Sequence, residues 1–326
     1  MSEPSTCGVG PGSERSAPKS KGSGPKNEAS PPTEVPQSGA GATLAGRDLA
    51  IVIVNYKSAA LTVNCVASLR ADGAVEIVVV DNASGDDCRA RLAATDPEVT
   101  FVALPDNRGY GAAANAGVSH TKGRAVVISN PDLVVRPGTL AALASALTPG
   151  VGAVGPRVDR PDETRYPSAR AFPSLVDAAG HGFVGLLSAS NPWSRRYLRP
   201  DAEEPGPVDW VSGAFVAVVR EAWDAVGGFD ESYFMFMEDV DLCWRLHRGG
   251  WEVRYEPAGR VMHLEGESRK AAPYRMIVAH HRSLLRYGWR TATPRDRLVM
   301  PVVAAGLALR TVVLCARTAA NKLRRR

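Results

Sequence analysis

The folding pattern of this chain begins at the run Leu49-Ala-Ile-Val-Ile-Val54, which is short, apolar and rich in β-branched residues. Such a run is typical of a strand buried on both faces of a sheet. Apolar residues spaced four apart follow between Ser58 and Leu69, and then comes a second run of the same kind, Val75-Glu-Ile-Val-Val-Val80. Strand, helix and strand in this order predict a right-handed βαβ unit within a parallel sheet.

The alternation continues in the next part of the chain. Further strands are predicted at 100–104, 125–129, 151–154, 215–219 and 251–255, and further helices at 89–94 and 111–119. We therefore predict an α/β fold with a mainly parallel, Rossmann-like sheet flanked by helices.

The two ends of the 326-residue chain differ in composition from its middle. Residues 1–40 hold eight Ser, seven Pro and six Gly, so residues 1–46 are expected to form a disordered tail that cannot bury enough apolar surface to fold. Residues 282–326 carry eleven Lys or Arg against one acid, a charge of +10, which leaves −5 for the rest of a chain whose net charge is +5. The predicted globular domain is the part between, residues 47–290.

The C-terminal part, residues 291–326, is predicted to be a basic amphipathic helix. Its uninterrupted apolar run, Leu298 to Leu309, is too short to cross a bilayer, so we expect the helix to lie in the membrane interface. An ordinary core helix with a basic end is the alternative. A basic segment suits anionic lipid or nucleic acid, and the apolar run favours an anionic membrane surface, with no nucleic-acid partner.

Cysteine usage and the N-terminus point to the cytosol. The five cysteines are odd in number, and no two have C-x-x-C spacing, so neither a disulfide framework nor a zinc site is predicted. The N-terminus lacks the apolar core of a signal peptide. The expected location is peripheral, at the cytoplasmic face of the cell membrane.

Three of the predicted strands end in polar residues, namely Asn55-Tyr56, Asp81-Asn82 and Asn130-Pro131-Asp132. In an open parallel sheet, ligands bind beyond the carboxyl ends of the strands. A carboxylate such as Asp81 can accept a hydrogen bond from the imide N–H of uracil or thymine, although a helix N-cap is an equally common role. These residues predict a nucleotide pocket.

A glycine-containing turn, Asn107-Arg-Gly-Tyr-Gly-Ala-Ala-Ala-Asn115, opens a predicted helix. Small residues there would let backbone amides approach phosphate oxygens at the helix N-terminus. The spacing Gly109-x-Gly111-x-x-Ala114 also resembles a dinucleotide fingerprint, which would indicate a nicotinamide-dependent oxidoreductase. That fingerprint normally follows the first strand, whereas this turn follows the third, so we favour a different nucleotide.

Two further features suggest a cation and a base. Asp132 stands at a strand end where it could hold Mg²⁺ or Mn²⁺ together with phosphate oxygens, and His263 could complete the coordination. The alternatives without a ligand are an Asx-Pro turn at Asp132 and a structural role for His263. Glu238, Asp239 and Asp241 cluster after an aromatic and Met-rich stretch. A carboxylate there could act as a general base, or the acids could simply favour the first turn of a helix.

Taken together, these motifs resemble the family 2 glycosyltransferases, which are inverting enzymes of the GT-A fold. The resemblance runs from about Leu49 to Tyr287 and is carried by Val54-Asn-Tyr56, Val80-Asp-Asn-Ala-Ser84, Asn107-Arg-Gly-Tyr-Gly111 with Asn115, Asn130-Pro-Asp132, Gly228-Phe-Asp-Glu231 and Phe236-Met-Glu-Asp239. It implies that Asn55 and Asp81 face the base and that Asn107, Gly109 and Asn115 lie by the nucleotide. It also implies that Asp132 and His263 bind the metal and that Asp239 is the catalytic base. Asn130 replaces the first Asp of the family's D-x-D motif.

Within that family, several segments resemble the rhamnosyltransferases that build the cell-wall linker of actinobacteria. They are Tyr166-Pro-Ser-Ala-Arg170, Asn191-Pro-Trp193, Trp210-Val-Ser-Gly213, Tyr233-Phe-Met-Phe-Met-Glu-Asp-Val-Asp-Leu242 and Ala279-His-His-Arg282. This likeness implies dTDP-L-rhamnose as the nucleotide-sugar donor and N-acetylglucosaminyl-diphosphoryl-polyprenol as the acceptor. Another donor sugar or another cell-surface glycan acceptor is the alternative.

Overall fold

A computed structural model describes residues 43–172, 204–264 and 273–324. Most of the expected N-terminal tail and the segment Asn191-Pro-Trp193 lie outside these ranges. Leu44, near the start of the first range, is buried in the main apolar core. A short 3-10 helix at Gly46–Asp48 then leads into the first strand.

The first half of the fold is the predicted parallel sheet. Four strands lie side by side in the order β3-β2-β1-β4, and all their pairings are parallel. The strands are β1 Leu49–Asn55, β2 Glu76–Asp81, β3 Thr100–Ala103 and β4 Ala125–Ser129, and the helices between them are α1 Ala59–Ala71, α2 Cys88–Thr95 and α3 Tyr110–Val118. The strand order reverses between β1 and β4, which is where an open sheet of this kind binds ligands.

The second half adds strands of mixed direction to the same sheet. Strand β11 runs antiparallel to both β4 and β6, whereas β12 is parallel to β6 and antiparallel to β5. The strands are β5 Leu133–Val135, β6 Val151–Asp159, β7 Arg165–Tyr166, β8 Ala169–Arg170, β9 Gly206–Pro207, β10 Trp210–Val211, β11 Phe215–Val219 and β12 Glu252–His263. Of these, β8 and β10 pair with each other, antiparallel, in a separate two-stranded sheet. The helices are α4 Thr139–Ala146, α5 Arg220–Val226 and α6 Glu238–Arg248.

Apolar clusters cover both faces of the sheet. Every residue of β1 is buried, and its side chains alternate, with Ile51 and Ile53 in one cluster and Val52 and Val54 in the other. This arrangement explains why the strand is continuously apolar, because a strand with one exposed face would alternate between apolar and polar residues. Gly117 allows α3 to lie close to the sheet, since a Cβ atom there would stand 2.4 Å from Cγ1 of Val52.

Two helices follow the sheet, α7 Pro273–Thr291 and α8 Asp296–Arg324. They pack against each other, and Oγ1 of Thr311 lies 2.8 Å from Nδ1 of His281. The helix is longer than the uninterrupted apolar run Leu298 to Leu309: α8 has 29 residues, or about 43 Å at ~1.5 Å per residue. By length and composition it could cross a membrane. A single arginine, Arg310, interrupts the apolar run but does not end a helix.

Candidate active site

The carboxyl ends of β1 and β2 form a hydrogen-bonded unit. Asn55 is completely buried, and its side-chain amide donates to Oδ1 of Asp81 at 2.8 Å and to Oγ of Ser84 at 3.0 Å. Its own Oδ1 accepts a hydrogen bond from the hydroxyl of Thr62 at 2.9 Å. Asp81 is half-buried beside it. The amide of Asn55 therefore orients Asp81. Oδ2 of Asp81 accepts from the amide of Ser84 at 3.2 Å, but each carboxylate oxygen can accept a second hydrogen bond, so Asp81 rather than Asn55 is the candidate group for a ligand.

Tyr56 follows directly at the rim of this unit. Its ring is half-buried, and Nζ of Lys57 stands 5.4 Å from the ring centroid. An aromatic face and an ammonium group at a strand end can pack against a base and approach a phosphate, respectively.

The glycine-containing turn is used differently from the sequence-based expectation. The amide of Arg108 donates to Oδ1 of Asn82, that of Gly109 donates to Oδ1 of Asn107, and that of Tyr110 donates to the carbonyl of Phe234. Three amides that were predicted to approach phosphate thus have partners within the protein. Asn82 also donates to Oδ1 of Asn107 and to the carbonyl of Gly109, both at 3.1 Å.

Gly109 is required by close packing of two backbones. It has a φ of 96°, and a Cβ atom there would stand 2.3 Å from the carbonyl oxygen of Phe234. The glycine therefore serves the approach of the segment 228–237 rather than that of a dinucleotide. Sequence reasoning could not see this contact because Phe234 is distant along the chain.

Asn115 holds the same segment from the other side. Its amide group donates to the carbonyl of Phe229 at 2.9 Å, and its Oδ1 accepts from the amide of Phe229 at 2.9 Å. Arg108 forms an ion pair with Glu231 at 2.7 Å, which adds a further link. Both ends of the Asn115 side chain are thus used on the protein backbone, so this residue positions the acidic segment rather than facing a ligand.

Asp132 and His263 are brought together by strand pairing. Asp132 directly precedes β5, and His263 is the last residue of β12, where it pairs with Leu133. Nε2 of His263 lies 3.1 Å from Oδ1 of Asp132. Both side chains are buried, and Nδ1 of His263 has no hydrogen-bond partner among the described residues.

This pair fits a divalent cation that is shared with a substrate. Adjacent ligands of an octahedral Mg²⁺ at ~2.1 Å would stand about 3.0 Å apart, close to the observed separation. The part of the chain that the structure describes contains no cluster of three or more His, Cys, Asp or Glu residues that could hold a metal. Mg²⁺ commonly takes one or two protein ligands and completes its coordination with phosphate oxygens and water.

A backbone junction links the end of β4 to the acidic pair. The amide of Asn130 donates to the carbonyl of Ala214 at 2.8 Å, and the amide of Gly213 donates to Oδ2 of Asp239 at 2.8 Å. The hydroxyl of Tyr110 donates to the carbonyl of Gly213 at 2.9 Å. Gly213 must be small, because a Cβ atom there would lie 2.9 Å from Cβ of Asp239. The sequence singled out Gly213 only as part of a resemblance.

Glu238 and Asp239 begin α6 and have different surroundings. Burial, followed by the adjacent charge of Asp239, raises the pKa of Glu238 from 4.5 to about 8. Oε2 of Glu238 has no hydrogen-bond partner among the described residues. Burial also raises the pKa of Asp239, but the amides of Gly213 and Val240 donate to its carboxylate and oppose the shift.

These environments separate the two acids chemically. Hydrogen bonds to a carboxylate favour its charged form, and burial without partners favours the neutral form. Glu238 is therefore the neutral member of the pair near pH 7, and Asp239 is the better candidate for the proton acceptor. When two neighbouring groups have environments of this kind, their acid and base roles follow from the difference.

The two residues before α6 are held in an unusual backbone conformation. Phe236 and Met237 have φ values of 69° and 67°, and such values typically cost ~1–3 kcal/mol for a residue other than glycine. Contacts with helix α7 stabilise this strained conformation. Oγ of Ser283 donates to the carbonyl of Met235 at 2.9 Å, and Tyr287 packs in a buried cluster with Met237. Sequence reasoning missed this supporting role of α7.

The fold and the site define a class of protein. The arrangement is that of a GT-A nucleotide-sugar transferase. It combines a half-parallel sheet, a polar crevice at β1 and β2, a carboxylate–imidazole pair after β4 and a buried acid at a helix start. The sequence-based assignment of fold and of enzyme class is confirmed by comparison with known proteins.

A model of the family described as Glycosyltransferase like family 2 matches residues 46–277. The chain is 37% identical over 231 residues to the N-acetylglucosaminyl-diphospho-decaprenol L-rhamnosyltransferase of Mycobacterium tuberculosis, and the match covers 66% of this chain and 75% of that protein. This chain therefore belongs to the family 2 glycosyltransferases, and it is an enzyme. The oxidoreductase alternative is wrong.

Solved structures agree on the fold. The mannosyltransferase PcManGT from Pyrobaculum calidifontis, in complex with GDP-Man and Mn²⁺, has a TM-score of 0.51 and 18% identity, covering 86% of this chain and 82% of that one. GalNAc-T7 with UDP, GalNAc and Mn²⁺ has a TM-score of 0.52 and 16% identity, covering 69% of this chain and 45% of that one. Both neighbours contain Mn²⁺, which is consistent with a divalent cation in folds of this kind.

Proposed function

We propose that this enzyme transfers L-rhamnose from dTDP-L-rhamnose, with inversion, to N-acetylglucosaminyl-diphosphoryl-polyprenol in cell-wall linker synthesis. The observation that carries the proposal is the 37% identity to the mycobacterial rhamnosyltransferase over most of that protein's length. The match covers 66% of this chain and 75% of that protein. The site described above contains the groups that such a transfer needs.

In the proposed reaction, Asp239 takes the proton from an acceptor hydroxyl. The hydroxyl oxygen then attacks the anomeric carbon of rhamnose from the face opposite the diphosphate, and the bond from that carbon to dTDP breaks. General-base assistance of this kind contributes ~10²–10⁴-fold to the rate. Neutral Glu238 beside Asp239 leaves a single negative charge at the base, and Gly213 orients it.

Asp132 and His263 are the residues that would hold Mg²⁺ or Mn²⁺ beside the donor diphosphate. When bound, the cation would offset the negative charge that grows on the departing dTDP. Asp81, oriented by Asn55, would accept a hydrogen bond from the imide N–H of thymine, and Tyr56 lies at the rim of the same pocket. The shape of the pocket would depend on the hydrogen bonds of the glycine-containing turn and the acidic segment, which are made by Asn82, Asn107, Gly109 and Asn115. The amide of Asn130 would hold the backbone at Ala214 in place.

Helix α8 is proposed to hold the enzyme at the cytoplasmic face of the membrane, in the plane of the interface. One face of α8 packs on α7, where Thr311 meets His281. The opposite face is apolar and exposed, and it includes Leu298, Val302 and Leu309. A helix that crossed the bilayer would place Arg310 and the polar helix α7 in hydrocarbon, which is costly, so an in-plane position suits this packing better.

A donor screen tests the proposed function. Purified enzyme, polyprenyl-diphosphate-linked GlcNAc and Mg²⁺ are incubated in parallel with UDP-, GDP- and dTDP-sugars, and the lipid products are identified by mass spectrometry. We expect a rhamnosyl-GlcNAc lipid from dTDP-L-rhamnose and little product from the other donors. A faster reaction with another donor, or no reaction of dTDP-L-rhamnose with this acceptor, would contradict the proposal.

A further inference from the structure

A groove outside the donor site lies between α7 and the segment 232–234. Its volume is about 1030 Å³, and its walls combine arginines with exposed apolar side chains. The proposed mechanism assigns it no role, because the donor nucleotide and the catalytic acids are held by other elements.

Three arginines on one face of α7 line the groove. Arg275, Arg282 and Arg286 are spaced seven and four residues apart, which places them on one side of a helix, and all three are exposed. No described residue forms an ion pair with any of them. Arg290, in contrast, is paired with Asp230 and Asp241. Three arginines that have no acidic partner within residues 43–172, 204–264 and 273–324 are suited to a di-anionic phosphate group, which guanidinium binds through two parallel hydrogen bonds.

The same groove has an apolar component. Tyr274, Val278 and Trp289 are 38%, 40% and 42% exposed, and neighbouring exposed apolar side chains of this size commonly mark a binding surface. Phe234 forms part of the opposite wall. The ligand expected for such a surface carries a diphosphate next to an apolar chain.

The groove adjoins both the acidic segment and the membrane helix. The carbonyl of Phe234 accepts the amide of Tyr110, and Ser283 on α7 donates to the carbonyl of Met235, only a few residues before Asp239. His281 of α7 contacts Thr311 of α8. A lipid diphosphate bound here would therefore lie on a helix that contacts both the proposed membrane helix and the segment leading to the proposed base.

We propose that this groove binds the diphosphate and the first isoprene units of the polyprenyl acceptor. Arg275, Arg282 and Arg286 contact the phosphates, and Tyr274, Val278 and Trp289 contact the hydrocarbon chain. The inference rests on the proposed function, which it deepens by naming where the acceptor lipid is recognised. Anionic phospholipid headgroups and the donor diphosphate share part of this chemistry, and the experiment below separates them.

The full-length enzyme in detergent is titrated with farnesyl diphosphate, farnesol and dTDP by calorimetry. The variant Arg282→Gln/Arg286→Gln is compared with the wild type and with Arg89→Gln/Arg91→Gln, which removes the same charge from exposed positions on α2. We expect the groove variant to bind farnesyl diphosphate at least tenfold more weakly and dTDP unchanged, and the control to resemble the wild type. Farnesol should bind weakly to all three proteins.

Three results would overturn the inference. The first is unchanged affinity of the groove variant for farnesyl diphosphate, and the second is an equal loss of dTDP binding. The third is a loss of binding to phosphatidylglycerol vesicles with farnesyl diphosphate binding intact, which would assign the arginines to headgroups. Because no sugar is transferred in these titrations, a wild type that binds farnesyl diphosphate but does not transfer rhamnose would contradict only the proposed function. Thermal melting of each variant checks that it is folded.

Discussion

Nε2 of His263 lies 3.1 Å from Oδ1 of Asp132, although the two residues are far apart in the sequence. The antiparallel pairing of β12 with β5 produces this contact, since it sets His263 opposite Leu133. The pairing therefore brings the imidazole to the segment that directly follows β4 and holds both Asn130 and Asp132. Any cation that serves the donor diphosphate would be held by residues from two segments that are distant in the sequence rather than by a local motif.

We predict that transfer requires Mg²⁺ or Mn²⁺ and that Asp132→Ala and His263→Ala each lower kcat/KM by at least about tenfold at limiting metal, because each removes one protein ligand. Rates are measured across a metal titration. His120→Ala, at an exposed position, is the control and should titrate like the wild type. Full turnover of the wild type in excess EDTA would refute the metal role of both residues.

We predict that Asp239→Asn lowers kcat by about 10²-fold or more while dTDP affinity stays unchanged, because only the proton acceptor is lost. Single-turnover kinetics and calorimetry measure the two quantities. Asp224→Asn makes the same chemical change at an exposed position on α5 and should be neutral. If Asp239→Asn retained more than about a tenth of the wild-type rate, another group would be the base.

The raised pKa of Glu238 predicts a pH-dependent stability. In the folded state the Glu238 carboxyl group keeps its proton up to about pH 8, whereas the ordinary pKa of a glutamate is 4.5. The folded state thus binds more protons within this window, so the free energy of unfolding should fall as the pH rises through it. This stability is fully present below the ordinary pKa and is lost as the pH passes the raised one.

Glu238→Gln should remove this dependence. Urea denaturation measures the free energy of unfolding at pH 5 and at pH 8. Its decrease between the two pH values should be larger in the wild type than in the variant by about 2–4 kcal/mol, since one pKa unit corresponds to ~1.4 kcal/mol. Glu221→Gln, at an exposed position on α5, should follow the wild type. Parallel curves for Glu238→Gln and the wild type would mean that Glu238 is ionised in the folded protein.

We predict that Gly109→Ala destabilises the protein by about 3 kcal/mol or more, because strain from the positive φ is added to a clash between Cβ and the Phe234 carbonyl. Gly138→Ala is the matched control. Gly138 also has a positive φ, of 84°, but a Cβ atom there would meet nothing within 4 Å, so the cost should be nearer ~1 kcal/mol. Denaturant unfolding compares the two, and equal costs would contradict the close approach of Phe234.

We predict that replacing Leu298, Val302 and Leu309 together by serine lowers binding to anionic vesicles by at least about tenfold, because each exposed side chain contributes apolar area at the interface. The fold should be unaffected, since these side chains are exposed. Sedimentation with vesicles measures the effect, and Val75→Ser, at an exposed position before β2, is the control. Wild-type sedimentation of the triple variant would leave α8 as a structural helix only.

The sequence by itself determined the parallel half of the fold. Continuous β-branched runs such as Leu49 to Val54 occur where a strand is buried on both faces, and this is a local property of the chain. The polar residues at the strand ends followed from the same logic. The sequence also identified Asp132, His263 and Asp239 as one constellation, although only by resemblance to a family and by the chemistry of their side chains.

The tertiary structure decided how these residues are used. Asn55 orients Asp81, and Asn115 is hydrogen-bonded to the backbone of Phe229. The turn at Gly109 leaves room for the backbone of Phe234. Each of these contacts joins segments that are distant along the chain, so the sequence alone could not predict them. The different surroundings of Glu238 and Asp239 likewise depend on the amide of Gly213, which the packing of β10 against α6 brings to one of the two acids. Spacing along a chain encodes local periodicity, whereas burial and hydrogen-bond partners depend on which distant segments the fold brings into contact.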